Sequence, residues 1–90
     1  MTALTDLEFR VIDELYFVTS FDGLLDALNE NPEAITEVLK GLLEKKLLTQ
    51  LVFDRVLKDY RKLEAPDFSA IQHSYFVASK EGLLTHNSRI

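Results

Sequence analysis

The sequence predicts an α+β fold that is mostly helical, with three helices followed by two strands. Two observations predict it. Between residues 5 and 46, apolar residues recur at helical spacing in three segments, and each segment begins with residues that suit a helix N-terminus. After Leu47 the helical period ends and Leu, Val, Phe and Tyr become frequent, which favours strands.

The first helix is predicted over residues 5–17. Thr5 and Glu8 stand three positions apart and form a capping box, in which each side chain accepts a hydrogen bond from the other residue's backbone N–H. The apolar residues of this segment keep to one helical face: Leu7, Val11, Ile12, Leu15 and Tyr16. Residues 18–20 are poorer helix formers, so we expect a short connection there.

Two further helices are predicted over residues 21–29 and 32–46. Ser20 suits the N-cap of the first. Asn31 suits the N-cap of the second, and Pro32 suits its first turn because the N–H that proline lacks has no partner there. Their apolar faces consist of Phe21, Leu24, Leu25 and Leu28 in one helix and of Ile35, Val38, Leu39, Leu42 and Leu43 in the other. The short polar break between them gives the layout of a helix-turn-helix.

Strands are predicted over residues 49–56 and 74–78, and the segment between them has alternative interpretations. A simple hairpin loop of this length would be unusual. Either the strands extend to about Tyr60 and from about Ile71, or the segment has a structure of its own. A helix also fits, because four of its residues are spaced like one helical face: Val52, Val56, Tyr60 and Leu63. Pro66 is expected in an exposed loop, and Ser79 is expected to cap a helical turn or short helix.

Two stretches carry a resemblance to a known family. The first contains Leu24-Leu25, NPEAI at residues 31–35 and LEKKLL at residues 43–48, and the second is YFVASKEG at residues 75–82. These stretches resemble the bacterial winged-helix transcription regulators of the multiple-antibiotic-resistance type, over residues 5–85. The resemblance implies a winged helix, which is a three-helix bundle with a helix-turn-helix plus a two-stranded β-wing, here with a long connection. The sequence departs from the family at Lys46, where a glycine is usual, and at Ala78, where a threonine is usual.

The composition limits the domain number and the classes of protein to which the chain can belong. A chain of 90 residues with 47% hydrophobic and 28% charged residues is expected to form one domain, residues 1–90. It has no cysteine, which excludes a disulfide framework and a thiolate metal site. No apolar run reaches the roughly 18 residues that a membrane helix needs, and the first ten residues lack the pattern of a signal peptide. We therefore expect a cytoplasmic protein that makes no membrane contact.

Candidate DNA contacts lie on the third helix and in the segment after it. The outward positions of the third helix are Glu33, Thr36, Glu37, Lys40 and Glu44, of which Thr36 and Lys40 are the candidates. The other candidates form a basic cluster: Arg55, Lys58, Arg61 and Lys62. Both groups have a second interpretation. The three glutamates fit a solvated helix face, and the acidic residues among the basic cluster fit a solvated wing with local ion pairs.

No catalytic constellation is predicted, so we expect a protein that is not an enzyme and binds no cofactor. His73 and His86 are the two histidines, and neither has a second ligand at metal-binding spacing. No serine lies in a nucleophile-elbow motif, and the three glycines are isolated from one another. No metal site is expected.

Self-association is predicted from the aromatic content and the small size of the core. A 90-residue domain is marginally stable alone, and aromatic side chains are enriched at interfaces. The interface candidates are Phe17, Phe68, Leu83, Leu84 and Ile90. Within a monomer, the apolar residues after Ser79 could instead pack back onto Leu7 and Val11.

Two functions follow as alternatives. The resemblance implies a small DNA-associated, transcription-regulator-like protein that binds duplex DNA as a homodimer. The acidic third helix and the sequence pI of about 4.9 instead favour a winged-helix module that binds a protein partner and not DNA.

Overall fold

The computed structural model describes residues 4–89 and shows an α+β arrangement of four α-helices and a four-stranded antiparallel sheet. The helices are α1 (Asp6–Glu14), α2 (Phe21–Leu28), α3 (Pro32–Glu44) and α4 (Lys80–Arg89). The strands are β1 (Thr19–Ser20), β2 (Leu48–Asp54), β3 (Asp59–Lys62) and β4 (Tyr75–Ala78), and a 3₁₀ helix spans Phe68–His73. The strand order across the sheet is β1-β4-β2-β3.

The predicted helix starts are confirmed by their capping hydrogen bonds. The backbone N–H of Glu8 donates to Thr5 Oγ1 (3.1 Å), and the N–H of Thr5 donates to Glu8 Oε1 (2.8 Å), which completes the capping box of α1. Ser20 Oγ accepts the N–H of Gly23 (3.0 Å) at the start of α2, and Asn31 Oδ1 accepts the N–H of Ala34 (2.7 Å) at the start of α3. Each cap satisfies a backbone donor that has no partner inside its helix.

The predicted end of α1 at residue 17 is wrong by three residues. The N–H of Leu15 donates to the carbonyl of Ile12 (2.9 Å), a tight final turn after which the chain leaves the helix. Tyr16 and Phe17 therefore lie in a turn, although Tyr16 continues the apolar spacing of the helix. The following connection contains β1, which pairs with β4 and was not predicted.

The segment between the two predicted strands has a structure of its own. The predicted strands do pair with each other, as β2 and β4, with Leu48 opposite Ala78 and Leu51 opposite Tyr75. Their connection is not a long wing loop, however. It turns back at once to form β3 on the other edge of β2, and it then forms the 3₁₀ helix before β4. Neither the extended two-stranded hairpin nor the helix over Val52–Leu63 is found.

The core lies between the helices and one face of the sheet. The apolar stripes predicted for the first three helices supply most of it, and Phe76 and Ile71 close it from the sheet and the 3₁₀ helix. The fully buried members are Val11, Ile12, Leu15, Leu24, Ile35, Leu39, Leu42, Ile71 and Phe76. No helix within residues 4–89 is long and apolar enough to cross a membrane.

The junction between α3 and β2 is a Schellman turn with a lysine in left-handed backbone conformation. Lys46 has φ of 61°, a region in which a side chain is unfavourable by about 1–2 kcal/mol. The N–H of Lys46 donates to the carbonyl of Leu43 (3.0 Å), and the N–H of Leu47 donates to that of Leu42 (2.9 Å). These two bonds satisfy carbonyls at the end of α3 and turn the chain into β2.

The start of α4 is bound to the same junction. The N–H of Ser79 donates to the Leu47 carbonyl (3.0 Å), and its hydroxyl donates to the Lys46 carbonyl (2.8 Å). Ser79 Oγ also accepts the N–H of Gly82 (3.0 Å), which confirms Ser79 as the predicted cap. Gly82 lies so close to the Leu47 carbonyl oxygen that a Cβ atom would overlap it.

We expect Gly82→Ala to destabilise the protein by about 3 kcal/mol, because the added methyl group meets backbone that cannot rotate away. Gly41→Ala is the matched control. Gly41 lies inside α3 with open space around its Cβ position, so this change should stabilise the protein by about 0.5–1 kcal/mol. Urea unfolding of both variants measures the difference. Similar free energies of unfolding for the two would contradict the close packing of Gly82.

Candidate nucleic-acid interface

The hairpin formed by β2 and β3 carries four of the six predicted DNA contacts. Arg55 and Lys58 lie in its turn, and Arg61 and Lys62 lie on β3. The strands are in register, with Asp54 opposite Asp59 and Phe53 opposite Tyr60, so the turn consists of residues 55–58. The fold therefore brings the whole basic cluster into one hairpin, which is shorter than the wing predicted from sequence.

Carboxylates fix the shape of this turn. Asp54 Oδ1 accepts the N–H groups of Val56 (2.9 Å) and Leu57 (3.1 Å), and Asp59 Oδ1 accepts the N–H of Tyr60 (2.7 Å). Lys58 closes the turn with φ of 55°. This geometry holds Val56 at the tip, where 90% of its surface is exposed.

The four cationic side chains are exposed and lack partners in the described part of the chain. None of them forms an ion pair or a side-chain hydrogen bond with another residue between 4 and 89. The local ion pairs that the sequence suggested for this segment are thus not found there. Four cations against two carboxylates give the hairpin a positive charge in a chain whose net charge is −5.

The candidates on α3 are less available for contact. The Thr36 hydroxyl donates to the Pro32 carbonyl of its own helix (2.8 Å). Lys40 Nζ lies 3.7 Å from Glu37 Oε2, and three carboxylates of this face are exposed: Glu33, Glu37 and Glu44. A carboxylate near the DNA backbone opposes the phosphate neutralisation on which non-specific affinity depends. The structure therefore separates an acidic helix face from a basic hairpin.

An open groove of about 570 Å³ lies between the end of α3 and the base of the hairpin. Its charged lining is balanced, with Lys46 and Lys62 against Glu44 and Glu64. Gln50 also contributes to it and is almost fully buried. Its amide donates to Ser74 Oγ (2.8 Å) and to the Asp67 carbonyl (3.0 Å), and it accepts the N–H of Asp67 (2.9 Å). These bonds hold the 3₁₀ helix against β2, a role that sequence periodicity did not reveal.

The interface candidates have different environments. Phe17 is 81% exposed in the turn that follows α1, and Leu84 is 59% exposed on α4. Phe68 is 40% exposed in the 3₁₀ helix, and Leu83 is half-buried. Ile90 lies outside the described residues. Phe17 and Leu84 are therefore available for contact with another chain.

His86 joins α4 to α1, which sequence analysis did not anticipate. Its ring is buried and stacks on Phe9 with a centroid distance of 4.1 Å. Its Nδ1 lies 2.8 Å from the Tyr16 hydroxyl. Its Nε2 lies 3.1 Å from Asp13 Oδ1 but is not aligned for a hydrogen bond with it. The spacing of Phe9, Asp13 and Tyr16 by four and then three residues is the signal that could have identified this contact.

The buried carboxylate of Glu8 also has a structural explanation. Burial raises its pKa, but the hydrogen bonds from Thr5 and the ammonium group of Lys45 outweigh burial and lower the pKa below its ordinary value. Lys45 Nζ lies 2.9 Å from Glu8 Oε2, so the pair joins the start of α1 to the end of α3. A shifted pKa can mark a catalytic group, but here the partners that shift it are those that hold two helices together.

Comparison of the chain with protein-family models, with curated protein sequences and with solved structures finds no match. Within the part of the chain that the structure describes, no three His, Cys, Asp or Glu side chains are grouped so that they could hold a metal ion. The properties of the candidate interface therefore follow from the geometry and charge of this chain and not from a relative.

We expect the stability supplied by Glu8 to be lost in acid. Because its folded-state pKa is lowered, its contribution is present above the ordinary value of 4.5 and fades as the pH falls through the folded-state pKa. Glu8→Gln should cost about 1–3 kcal/mol at pH 7 and should flatten the acidic limb of a plot of stability against pH. Thermal melts between pH 3 and pH 7 are the measurement.

Glu44→Gln is the control, because Glu44 is exposed and forms no ion pair with a residue described here. Its free energy of unfolding at pH 7 should stay within about 0.5 kcal/mol of the wild type. An acidic limb that is equally steep in the wild type and in Glu8→Gln would show that the Glu8–Lys45 pair does not control acid stability.

Proposed function

We propose that this chain is a non-catalytic, DNA-associated domain of winged-helix type, in which the β2–β3 hairpin is the wing and the principal contact. The observation that carries the proposal is the set of four exposed, unpaired cations on that hairpin: Arg55, Lys58, Arg61 and Lys62. Cations on a projecting hairpin can reach phosphates without requiring the rest of the domain to approach the duplex. A role in transcription regulation belongs to the same proposal and rests on the family resemblance.

The acidic face of α3 supports a contact through the hairpin and not through a recognition helix. A helix in the major groove places its outward side chains beside phosphates and base edges. On α3 those positions hold three carboxylates, and their one ammonium group lies beside Glu37. Most of the acidic residues among residues 1–30 lie on α1 and α2, and none lies on the hairpin.

The tip of the hairpin suits a groove as well as a phosphate. Val56 and Leu57 are exposed between Arg55 and Lys58. Proteins that bind the minor groove often combine cationic side chains with an apolar residue placed against the bases. The tip of the hairpin therefore combines two apolar side chains with a cationic side chain on either side of them.

The salt dependence of binding to a mixed-sequence duplex tests the proposal. The double variant Lys58→Ala/Lys62→Ala removes two hairpin cations, so the slope of log affinity against log salt should become shallower by up to roughly 1.8. The matched double variant Lys40→Ala/Lys80→Ala removes the same charge elsewhere and should leave the slope nearly unchanged. Equal slopes for the two variants would exclude the hairpin as the contact.

A second candidate function is association with protein, either another copy of this chain or a different partner. The observation that favours it is Phe17, an aromatic side chain exposed over 81% of its surface, together with the exposed Leu84. Apolar side chains of this size contribute most where they are fully desolvated by a partner. A homodimer formed in this way would leave the hairpin free, so the two candidate functions are compatible.

Light scattering at micromolar concentration tests this second candidate. We expect a dimeric mass for the wild type and a monomeric mass for Phe17→Ser. Val56→Ser is the control, because it removes an apolar side chain that is at least as exposed but lies on the hairpin tip. A monomeric wild type, or dissociation by Val56→Ser alone, would exclude an interface at Phe17.

A further inference from the structure

The sheet has a second face that the helices do not cover. Side chains alternate between the two faces of a strand, and the register assigns each residue to one face. Leu48, Gln50 and Phe76 point inward and are buried. The opposite positions form what we call the outer sheet face: Thr49, Leu51, Phe53, Tyr60, Lys62, Tyr75 and Val77.

Three aromatic rings form a connected row on the outer sheet face. The ring centroids of Phe53 and Tyr60 are 5.5 Å apart, and those of Tyr60 and Tyr75 are 4.9 Å apart. Each pair meets edge to face, with interplanar angles of 75° and 69°. Phe53 and Tyr60 remain 45% and 43% exposed, so the rings are fixed by one another while part of each is available to a ligand.

The outer sheet face carries a positive charge and no negative charge. None of its seven positions holds a carboxylate, although the chain has 15 acidic and 10 basic residues. Its one charged residue is Lys62, at the end of β3 away from the turn, and Arg55 and Lys58 lie in the turn beyond the other end of β3. Arg61 lies next to Lys62 but points to the opposite face, because its partner in the register is Val52. An anionic, flat-ringed ligand would meet aromatic surface and positive charge together.

We propose that the outer sheet face binds a single strand of nucleic acid, with unpaired bases stacked on Phe53, Tyr60 and Tyr75 and phosphates near Lys62 and the turn. This inference rests on the proposed function, because the same hairpin supplies the phosphate contacts. It further specifies that the nucleic acid is single-stranded. Exposed aromatic side chains on a sheet bind single strands by stacking, and neighbouring cations follow the phosphate backbone. A duplex cannot use the rings in this way, because its bases already stack within the helix.

The size of the face favours a narrow occupant over a second copy of the chain. Three strands about 4.8 Å apart and a longest strand of seven residues rising about 3.3 Å each give a face of roughly 300 Å². A standard protein interface buries about 800 Å² on each partner. A single polynucleotide strand needs only a strip of surface with rings along it, which the outer sheet face provides.

Fluorescence anisotropy with labelled oligonucleotides of about twelve residues tests the inference, since single-strand sites span about 4–16 nucleotides. The probes are oligothymidylate, oligouridylate and a mixed-sequence duplex of the same length, so the first two distinguish DNA from RNA. We expect at least one single strand to bind more tightly than the duplex. Tyr60→Leu and Phe53→Leu should each weaken single-strand binding roughly tenfold or more.

Two matched controls separate stacking from other effects. Phe68→Leu removes an aromatic ring of similar exposure (40%) from the 3₁₀ helix and should leave single-strand affinity unchanged. Arg61→Ala should weaken binding less than Lys62→Ala, because the two adjacent cations point to opposite faces. Circular dichroism and thermal melts of each variant confirm that it is folded.

The outcomes distinguish this inference from the proposed function. If Tyr60→Leu and Phe53→Leu keep full affinity while the Lys58→Ala/Lys62→Ala variant still reduces the salt dependence, the outer sheet face is not the site and the hairpin remains the contact. If no probe binds at low salt, the proposed function fails and this inference fails with it. A wild-type dimer that Phe53→Leu dissociates, while Phe17→Ser does not, would also overturn the inference, because the face would then be covered by protein.

Discussion

The register of the sheet depends on one junction, where the chain leaves α3. The carbonyl groups of Lys46 and Leu47 both accept hydrogen bonds from Ser79, so the first residue of β2 is held opposite the last residue of β4. Gly82 lies against the same carbonyl of Leu47, which fixes how closely α4 approaches. A slip of one residue would exchange the two faces of β2, burying Phe53 and exposing Gln50. This junction therefore determines which residues lie on the buried face of the sheet and which lie on the outer sheet face.

That division also separates the charges of the molecule. The acidic residues of α1, α2 and α3 occupy the helical layer, whereas unpaired cations lie on the hairpin at the edge of the sheet. The ion pair of Glu8 with Lys45 and the contacts of His86 lie within the helical layer and hold its helices together. A polyanion approaching the helices would be repelled, and one approaching the hairpin would be attracted, which would restrict the orientation of binding. The uneven distribution of charge thus favours the approach of a polyanion to the hairpin.

The helices could be predicted closely because local chemistry determines them. Ser20 and Asn31 each begin a helix where their side chains can cap it, and these starts do not depend on distant residues. The short strands β1 and β3 could not be predicted, because β1 has two residues and β3 has the sequence DYRK without apolar alternation. Both exist through pairing with strands from elsewhere in the chain. The cations of the candidate site were identified from sequence, but the aromatic row was not, since it requires knowing which strands are neighbours.

The central position of β4 has a consequence for the order in which the chain folds. β4 lies between β1 and β2, so the sheet cannot close until residues 75–78 have been synthesised. The three helices before residue 45 can form local structure earlier, but Tyr16 meets His86 across 70 residues of chain. Contacts of such long range slow folding, because the loop they close costs entropy before the contact forms. During synthesis, the apolar surface of α1–α3 would remain exposed until the sheet that covers it has formed. A nascent chain at this stage would be a natural substrate for a chaperone.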